Sequence, residues 1–253
     1  MPVLEVEHLT KFFGGFRAVA DLSFTVEDDE ILGLVGPNGA GKTTTFHLIT
    51  GFLAPTAGRI RFRGEDITGR PPHERAQHGL VRTFQNTKVF ATLTVEDNIR
   101  IGCFRQLPRG MRPTLLGLSP TEKTALQTRV DELIAFTGLE PYRHTVAEDL
   151  SYGDQRTLEI AIALGVGPRL LLLDEPFAGM SRAEADRCMT LIHRTRAQGV
   201  TVLLVDHHMD TLMRHCHRLV VMHHGEKLAE GSPEVIRTDA KVIATYLGGT
   251  PDA

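Results

Sequence analysis

Several things are scarce in this chain of 253 residues, and each scarcity excludes a class of protein. Only three cysteines occur, Cys103, Cys188 and Cys216, far apart and without C-x-x-C spacing. That odd, unpatterned set suits a reduced cytosolic protein and argues against a disulfide framework. Net charge is small, −3, so no global electrostatic footprint for nucleic acid is present. No apolar run approaches the roughly 20 residues that span a bilayer, so any membrane role is expected to be peripheral. The N-terminus Met1-Pro2-Val3-Leu4-Glu5-Val6-Glu7 alternates apolar and acidic residues, so a secretory leader is not expected. Internal repeats and low-complexity tracts are also missing. What remains, 42% hydrophobic and 23% charged residues, is the make-up of an ordinary globular protein of one large domain or a core with an inserted subdomain.

Against this plain background one stretch stands out, Gly36-Pro37-Asn38-Gly39-Ala40-Gly41-Lys42-Thr43, a G-x-x-x-x-G-K-T sequence. Apolar Ile31 to Val35 precede it, and Thr44-Thr45-Phe46-His47-Leu48-Ile49-Thr50, a helix-compatible run, follows. A strand feeding a glycine-rich loop that opens a helix makes a phosphate cradle. Backbone N–H groups turn inward and the helix N-terminus adds partial positive charge. Lys42 can then reach the β- and γ-phosphates, and the Thr43 hydroxyl can ligate Mg²⁺.

Around this loop the chain reads as alternating elements. Val3 to Leu9 and Ala18 to Val26 predict strands around a Phe13-Gly14-Gly15-Phe16 turn, and Gly58 to Gly64 a further, half-wet strand. Leu80 to Phe84 predicts another, ended by Gln85-Asn86. From about Thr94 to about Leu164 the pattern is wholly helical, with hydroxyl caps at Thr94 and Ser119 and glycine at Gly138. Non-alternating strands return at Leu170 to Leu173, Val200 to Val205 and Leu219 to Met222, with a helix over Arg182 to Gln198 between the first two. The expected fold is α/β, with a mostly parallel sheet, an N-terminal antiparallel β portion and an inserted all-helical subdomain. The loop over Phe104 to Leu118, with Arg105, Arg109 and Arg112, reads as a solvated connection.

Two further clusters bear on chemistry. Leu170-Leu171-Leu172-Leu173-Asp174-Glu175 is an apolar strand ending in two acids. It would deliver Asp174 beside the phosphate loop to hold Mg²⁺ and set Glu175 to polarise an attacking water. Leu150-Ser151-Tyr152-Gly153-Asp154-Gln155-Arg156 heads a helix. Ser151 is suited to its N-cap, and Gly153 lets a backbone N–H approach an anion. Six histidines (His207, His208, His215, His217, His223 and His224) crowd one stretch, but as next-neighbour pairs they are expected to point different ways rather than share a metal.

Phosphate loop, Gln85, the Leu150-to-Gln155 signature, the Asp174-Glu175 strand and His207 occur in the order of ATP-binding-cassette (ABC) ATPases, and the chain resembles that family over its whole length. It implies a P-loop NTPase core, with residues 1–253 one nucleotide-binding domain, core at about 1–85 and 165–253, and the helical insertion at 86–164. Within the family the signature, the following Leu158-Glu159-Ile160-Ala161, the long insertion and the ending Gly231-Ser232-Pro233-Glu234-Val235-Ile236 resemble ATP-binding subunits of branched-chain amino-acid importers.

The resemblance implies roles residue by residue. Phe13 would stack on adenine. Gly36, Asn38, Gly39, Gly41, Lys42 and Thr44 would hold phosphates of ATP, and Thr43, Gln85 and Asp174 would ligate Mg²⁺. Gln85 would also sense the γ-phosphate. Glu175 would be the catalytic base, and His207 would orient the water. Ser151 and Gly153 would touch ATP bound by a second ATPase subunit, identical or paralogous. Integral membrane permease subunits would be partners, docked by Val89, Phe90 and Leu93 of segment 86–101, with a solute-binding protein acting indirectly. The expected location is the cytoplasmic face of the inner membrane, peripherally bound, with no nucleic-acid partner.

Two other cassette systems, urea or amide uptake and lipopolysaccharide export, share this architecture. A soluble cassette acting on ribosomes or DNA is disfavoured by the single cassette and near-neutral charge. Four positions depart from the family pattern. Tyr152 and Asp154 replace the glycine and glutamine of the commonest signature, Ser181 stands where Asp or Asn is usual, and His208 stands where close relatives tend to carry an acid.

Overall fold

The computed structural model describes residues 1–83, 89–106, 118–206 and 209–247. It opens with two long strands, β1 (Leu4–Phe13) and β2 (Phe16–Val26), paired antiparallel about the Gly14-Gly15 turn. Strand β3 (Ile31–Val35) is buried throughout and runs into the phosphate loop and helix α1 (Lys42–Thr50). Strands β4 (Ala57–Phe62) and β5 (Glu65–Asp66) return to the first sheet, which has the order β2-β1-β4-β5. Helix α2 (Pro72–Gln77) and strand β6 (Leu80–Arg82) follow.

Helices α3 (Val95–Cys103), α4 (Pro120–Thr137) and α5 (Tyr152–Gly165) pack on one another as the helical portion. Their starts are those the caps foretell. Thr94 accepts from Asp97 N–H, and Ser119 with Glu122 forms a full capping box, two reciprocal bonds that satisfy orphan helix donors. The stretch is not wholly helical, because Thr94 and Val146 form an isolated antiparallel bridge and two 3₁₀ turns precede α5.

The second sheet completes the core through β7 (Leu170–Asp174), helix α6 (Arg182–Ala197), β8 (Thr201–Asp206), helix α7 (Met209–His215), β9 (Arg218–His223) and β10 (Glu226–Gly231). Helices α8 (Pro233–Thr238) and α9 (Ala240–Leu247) close the chain. The sheet order is β10-β9-β3-β8-β7-β6, parallel except for the β9-β10 hairpin at one edge. Its central strands β3, β7 and β8 are buried along their lengths, which is why they read as unbroken apolar runs.

One apolar cluster joins the helical portion to one face of this sheet. The other seats α1 and the antiparallel sheet against the opposite face. Register along the sheet sets Val35 beside Asp206, and Asp174 beside Val205. The phosphate loop after β3 and the two acids ending β7 therefore leave the same carboxyl edge of the sheet, separated by β8, at the place where α/β sheets bind ligands.

Arg75, on α2 and only 1% exposed, locks the far end of α1. Its guanidinium donates to the carbonyls of Leu48 (2.8 Å), Ile49 (2.7 Å), Thr68 (2.8 Å) and Arg70 (2.8 Å). The Leu48 and Ile49 carbonyls lie in the last turn of α1, where a helix leaves carbonyls without intrahelical partners. Burial holds the Arg75 guanidinium down at about 10, within the range where it stays charged at neutral pH.

Candidate nucleotide site

The loop takes its shape from its neighbours as much as from its glycines. Gly36 has no room for a side chain, because a Cβ there would lie 2.4 Å from the Met222 carbonyl oxygen on β9. Gly41, the N-cap of α1, sits at φ 97°, and a Cβ would lie 2.5 Å from the Ala18 carbonyl oxygen of β2. Gly39 has open space around it and is required by its backbone instead, at φ 80°. The Gly225 amide donates to Ala40 O (3.0 Å) and the Ala20 amide to Gly225 O (2.8 Å), so the β9-β10 turn braces the loop against β2.

No side chain caps α1, and this leaves its first-turn amides to an anion. The Lys42 ammonium lies across the loop, donating to Gly36 O (2.6 Å) and Pro37 O (3.0 Å). Burial pulls its pKa below the ordinary lysine value, while Glu175, Asp206 and Asp174 pull the other way. Asn38, Gly39 and Thr43 are exposed and Thr44 half-buried, so the loop offers its polar face outward. Phe13 ends β1, 46% exposed, with the Lys11 ammonium 5.3 Å from its ring centroid.

At the end of β7 the two acids diverge. Asp174 is 3% exposed and receives a hydrogen bond from the Arg82 guanidinium on β6 at 3.1 Å. Burial drives the Asp174 carboxyl above its usual value, with Arg82 the strongest opposing influence. Burial likewise lowers Arg82, so desolvation outweighs pairing on both sides of this ion pair. Glu175, half-buried, takes a left-handed backbone at φ 45°, and its amide donates to Val205 O at 2.8 Å. A non-glycine residue held there is strained, a state that persists where surrounding structure over-determines it.

Ser151 caps α5 as expected, accepting from Asp154 N–H at 3.2 Å, while its hydroxyl donates to Asp154 Oδ2 at 2.6 Å. This is the consequence of having Asp154 in the signature. Tyr152 packs its ring on Gly179, where a Cβ would lie 3.2 Å from it, and receives a bond from Arg156 Nε at 3.2 Å. Ser151 is the N-cap of α5, and Gly153 lies in its first turn. Gln85, His207 and His208 lie outside the described residues.

Sequence reasoning missed several contributors. Arg82 carries no motif signal, since its partner on β7 is far away in the chain. Asn98, fully buried, accepts from Phe90 N–H (2.8 Å) and donates to the carbonyls of Phe90 (3.1 Å), Leu93 (3.3 Å) and Thr94 (3.0 Å). It fixes a segment in which Phe90 stays 50% exposed while Val89 packs on the core. Arg105 is no free loop residue, because it donates to Ala76 O at 2.9 Å. His223 and His224 do not point apart. Their rings sit 4.0 Å from each other, because φ at His224 is 48° in the β9-β10 turn.

Residues 19–178 match the family model described as ABC transporter. The chain belongs to the ABC transporter ATPase family. As a cassette of that family it is an ATP-hydrolysing, energy-coupling protein with a P-loop NTPase fold. A second model, described as branched-chain amino acid ATP-binding cassette transporter, matches residues 226–252. The cassette is 41% identical to the high-affinity branched-chain amino acid transport ATP-binding protein BraF of Pseudomonas aeruginosa over 98% of each chain. It is 38% identical to the lipopolysaccharide export system ATP-binding protein LptB of Acidithiobacillus ferridurans over 97% of each. Among solved structures it resembles MJ1267, an ATP-binding cassette of an ABC transporter, at 31% identity. The TM-score is 0.84, covering 97% of this chain and 99% of that one. The ADP conformation of MJ1267 also matches, with TM-score 0.84 and 30% identity over 98% of this chain and 100% of that one.

Proposed function

We propose that this cassette drives import of branched-chain or related amino acids as a peripheral subunit at the cytoplasmic face of the inner membrane. There it would work with integral permease subunits supplied by a solute-binding protein. The observation that carries the solute class is the match of residues 226–252 to the branched-chain cassette model, added to the 41% identity with BraF. Export of lipopolysaccharide is the second reading, favoured by the 38% identity with LptB. Residues 86–164 form the helical insertion and the remainder the core, a division supported by the packing of α3, α4 and α5 on one another. Phe90, held out by Asn98, is the permease contact.

In the proposed mechanism the loop amides of Gly36 to Gly41, the α1 amides and Lys42 bind the phosphates, with Asn38 and Thr44 at their edge. Phe13 stacks on the adenine. The donor set for Mg²⁺ fits: a buried Asp174 carboxylate, the Thr43 hydroxyl and the Gln85 amide oxygen are hard oxygen ligands. When bound, Mg²⁺ would neutralise charge on the phosphates. Glu175 takes the proton of the attacking water, and His207 orients that water. Ser151 and the Gly153 amide close the site over ATP held by a second cassette, with the dipole of α5 directed at its γ-phosphate.

The test is Glu175→Gln. It keeps every binding group and removes the base, so hydrolysis should fall by about 10²–10⁴-fold while ATP traps a dimer visible by light scattering. A variant that stays monomeric in ATP would overturn the shared-site reading.

A further inference from the structure

Between the loop that carries Glu175 and the signature at the head of α5 lies one side chain that touches both. Glu184, in the first turn of α6, completes a capping box with Ser181. Its Oε2 accepts from Ser181 N–H at 2.8 Å and from the Ser181 hydroxyl at 2.6 Å. Its other oxygen faces α5, and a Cβ placed on Gly153 would lie 2.7 Å from Oε1 and 3.0 Å from Cδ and Cγ. Only glycine at 153 lets the carboxylate lie against the backbone there. The Ser181 bonds hold the Glu184 carboxyl below its usual value, and the Gly153 amide adds to the effect. A second contact runs parallel to the first, Tyr152 on Gly179. Between these anchors the chain from Glu175 is held in successive turns, Ala178 N–H to Glu175 O (3.2 Å) and Met180 N–H to Phe177 O (3.1 Å).

This wiring has a consequence if two cassettes share their ATP sites. Glu175 acts in the site the chain keeps, while Ser151 and Gly153 serve the site it lends. Glu184 joins the two within one chain, over a distance no motif spans.

We propose that Glu184 is a positioning residue that ties the Gly153 end of α5 to the loop running from Glu175 to Ser181. The half-site a cassette offers its partner is then aligned with the half-site it keeps. The inference rests on the shared-site reading above, and the experiment separates the two.

The full-length chain with Glu175→Gln serves as parent, with ATP. Glu184→Ala is added, then Glu184→Gln, which keeps length and acceptor but not charge, then Glu184→Ala with Ser181→Asp, which strengthens the N-cap that residue 181 gives α6 without reaching Gly153. Glu184→Ala should weaken the ATP-bound dimer about tenfold. It should also speed amide exchange across residues 150–157 several-fold in the lone chain. Ser181→Asp should recover the melting temperature and leave both defects, whereas Glu184→Gln should stay within about twofold of the parent in both readouts. The inference is overturned if exchange and dimer constant match the parent in Glu184→Ala. Two other results overturn it: Ser181→Asp restoring them with the melting temperature, or Glu184→Gln tightening the dimer by relieving a charge. If the parent itself stays monomeric, the shared-site reading falls, and the exchange arm, which needs no dimer, still decides whether Glu184 holds Gly153.

Discussion

Replacing Arg82 with methionine removes the one described ion-pair partner of Asp174 while keeping an apolar stem between the rings of Phe46 and Phe52. The guanidinium carbon stands 5.9 and 5.5 Å from those ring centroids. The pair is 3.1 Å long, with both side chains under a tenth exposed. At that separation an effective dielectric near 20 gives an attraction of about 5 kcal/mol. Breaking one side of a buried pair typically costs about 3–5 kcal/mol, because the remaining charge is stranded. For a chain of this length that is a fall in melting temperature on the order of 10 °C.

The loss should depend on pH in one direction. Asp174 is already raised by burial, and without Arg82 it rises further. An acid whose folded value lies above its unfolded value of about 3.8 holds its proton more tightly when native. The deficit of the variant is therefore small below that value, grows as pH rises, and is complete once pH passes the folded value. Urea unfolding at pH 5 and pH 8 measures it. A deficit below about 1 kcal/mol at pH 8, or one that does not shrink on acidification, would refute the assignment.

Two further substitutions probe the site and its reach. Phe13→Ala should weaken binding of a fluorescent ATP analogue by about 5- to 150-fold, the equivalent of 1–3 kcal/mol of base stacking, and leave unfolding unchanged because the ring is half exposed. Phe90→Ser should spare the cassette's own ATPase and reduce co-purification with membrane permease subunits, since Asn98 bonds the Phe90 backbone and not its ring. Undiminished co-purification would move the contact elsewhere.

Much of this was readable beforehand where the signal is local. A capping box is written in four consecutive residues, and Ser119 with Glu122 announced α4 for that reason. The unbroken leucines of β7 and the Gly-rich loop after β3 declared a buried parallel sheet. The antiparallel β10 and the short helices α7, α8 and α9 lacked enough periods to register. The interactions that organise the site are non-local. Arg82 meets Asp174 because β6 and β7 are neighbours in the sheet, Arg75 meets α1 across the β4-β5 turn, and Glu184 meets Gly153 through two helix ends. No spacing rule links such residues, and only the fold brings them together.

A single cassette, on this account, holds half of each site it uses. Complementation by mixing measures that most directly. Ser151→Arg spoils the half a chain lends, Glu175→Gln the half it keeps, and each alone should be inactive. Mixed in equal amounts, half the dimers contain one of each chain, and one of the two sites in those dimers is intact. ATPase activity should then recover to about a quarter of that of the unmodified protein. Activity that stays at the sum of the two separate variants would contradict a site built from two chains.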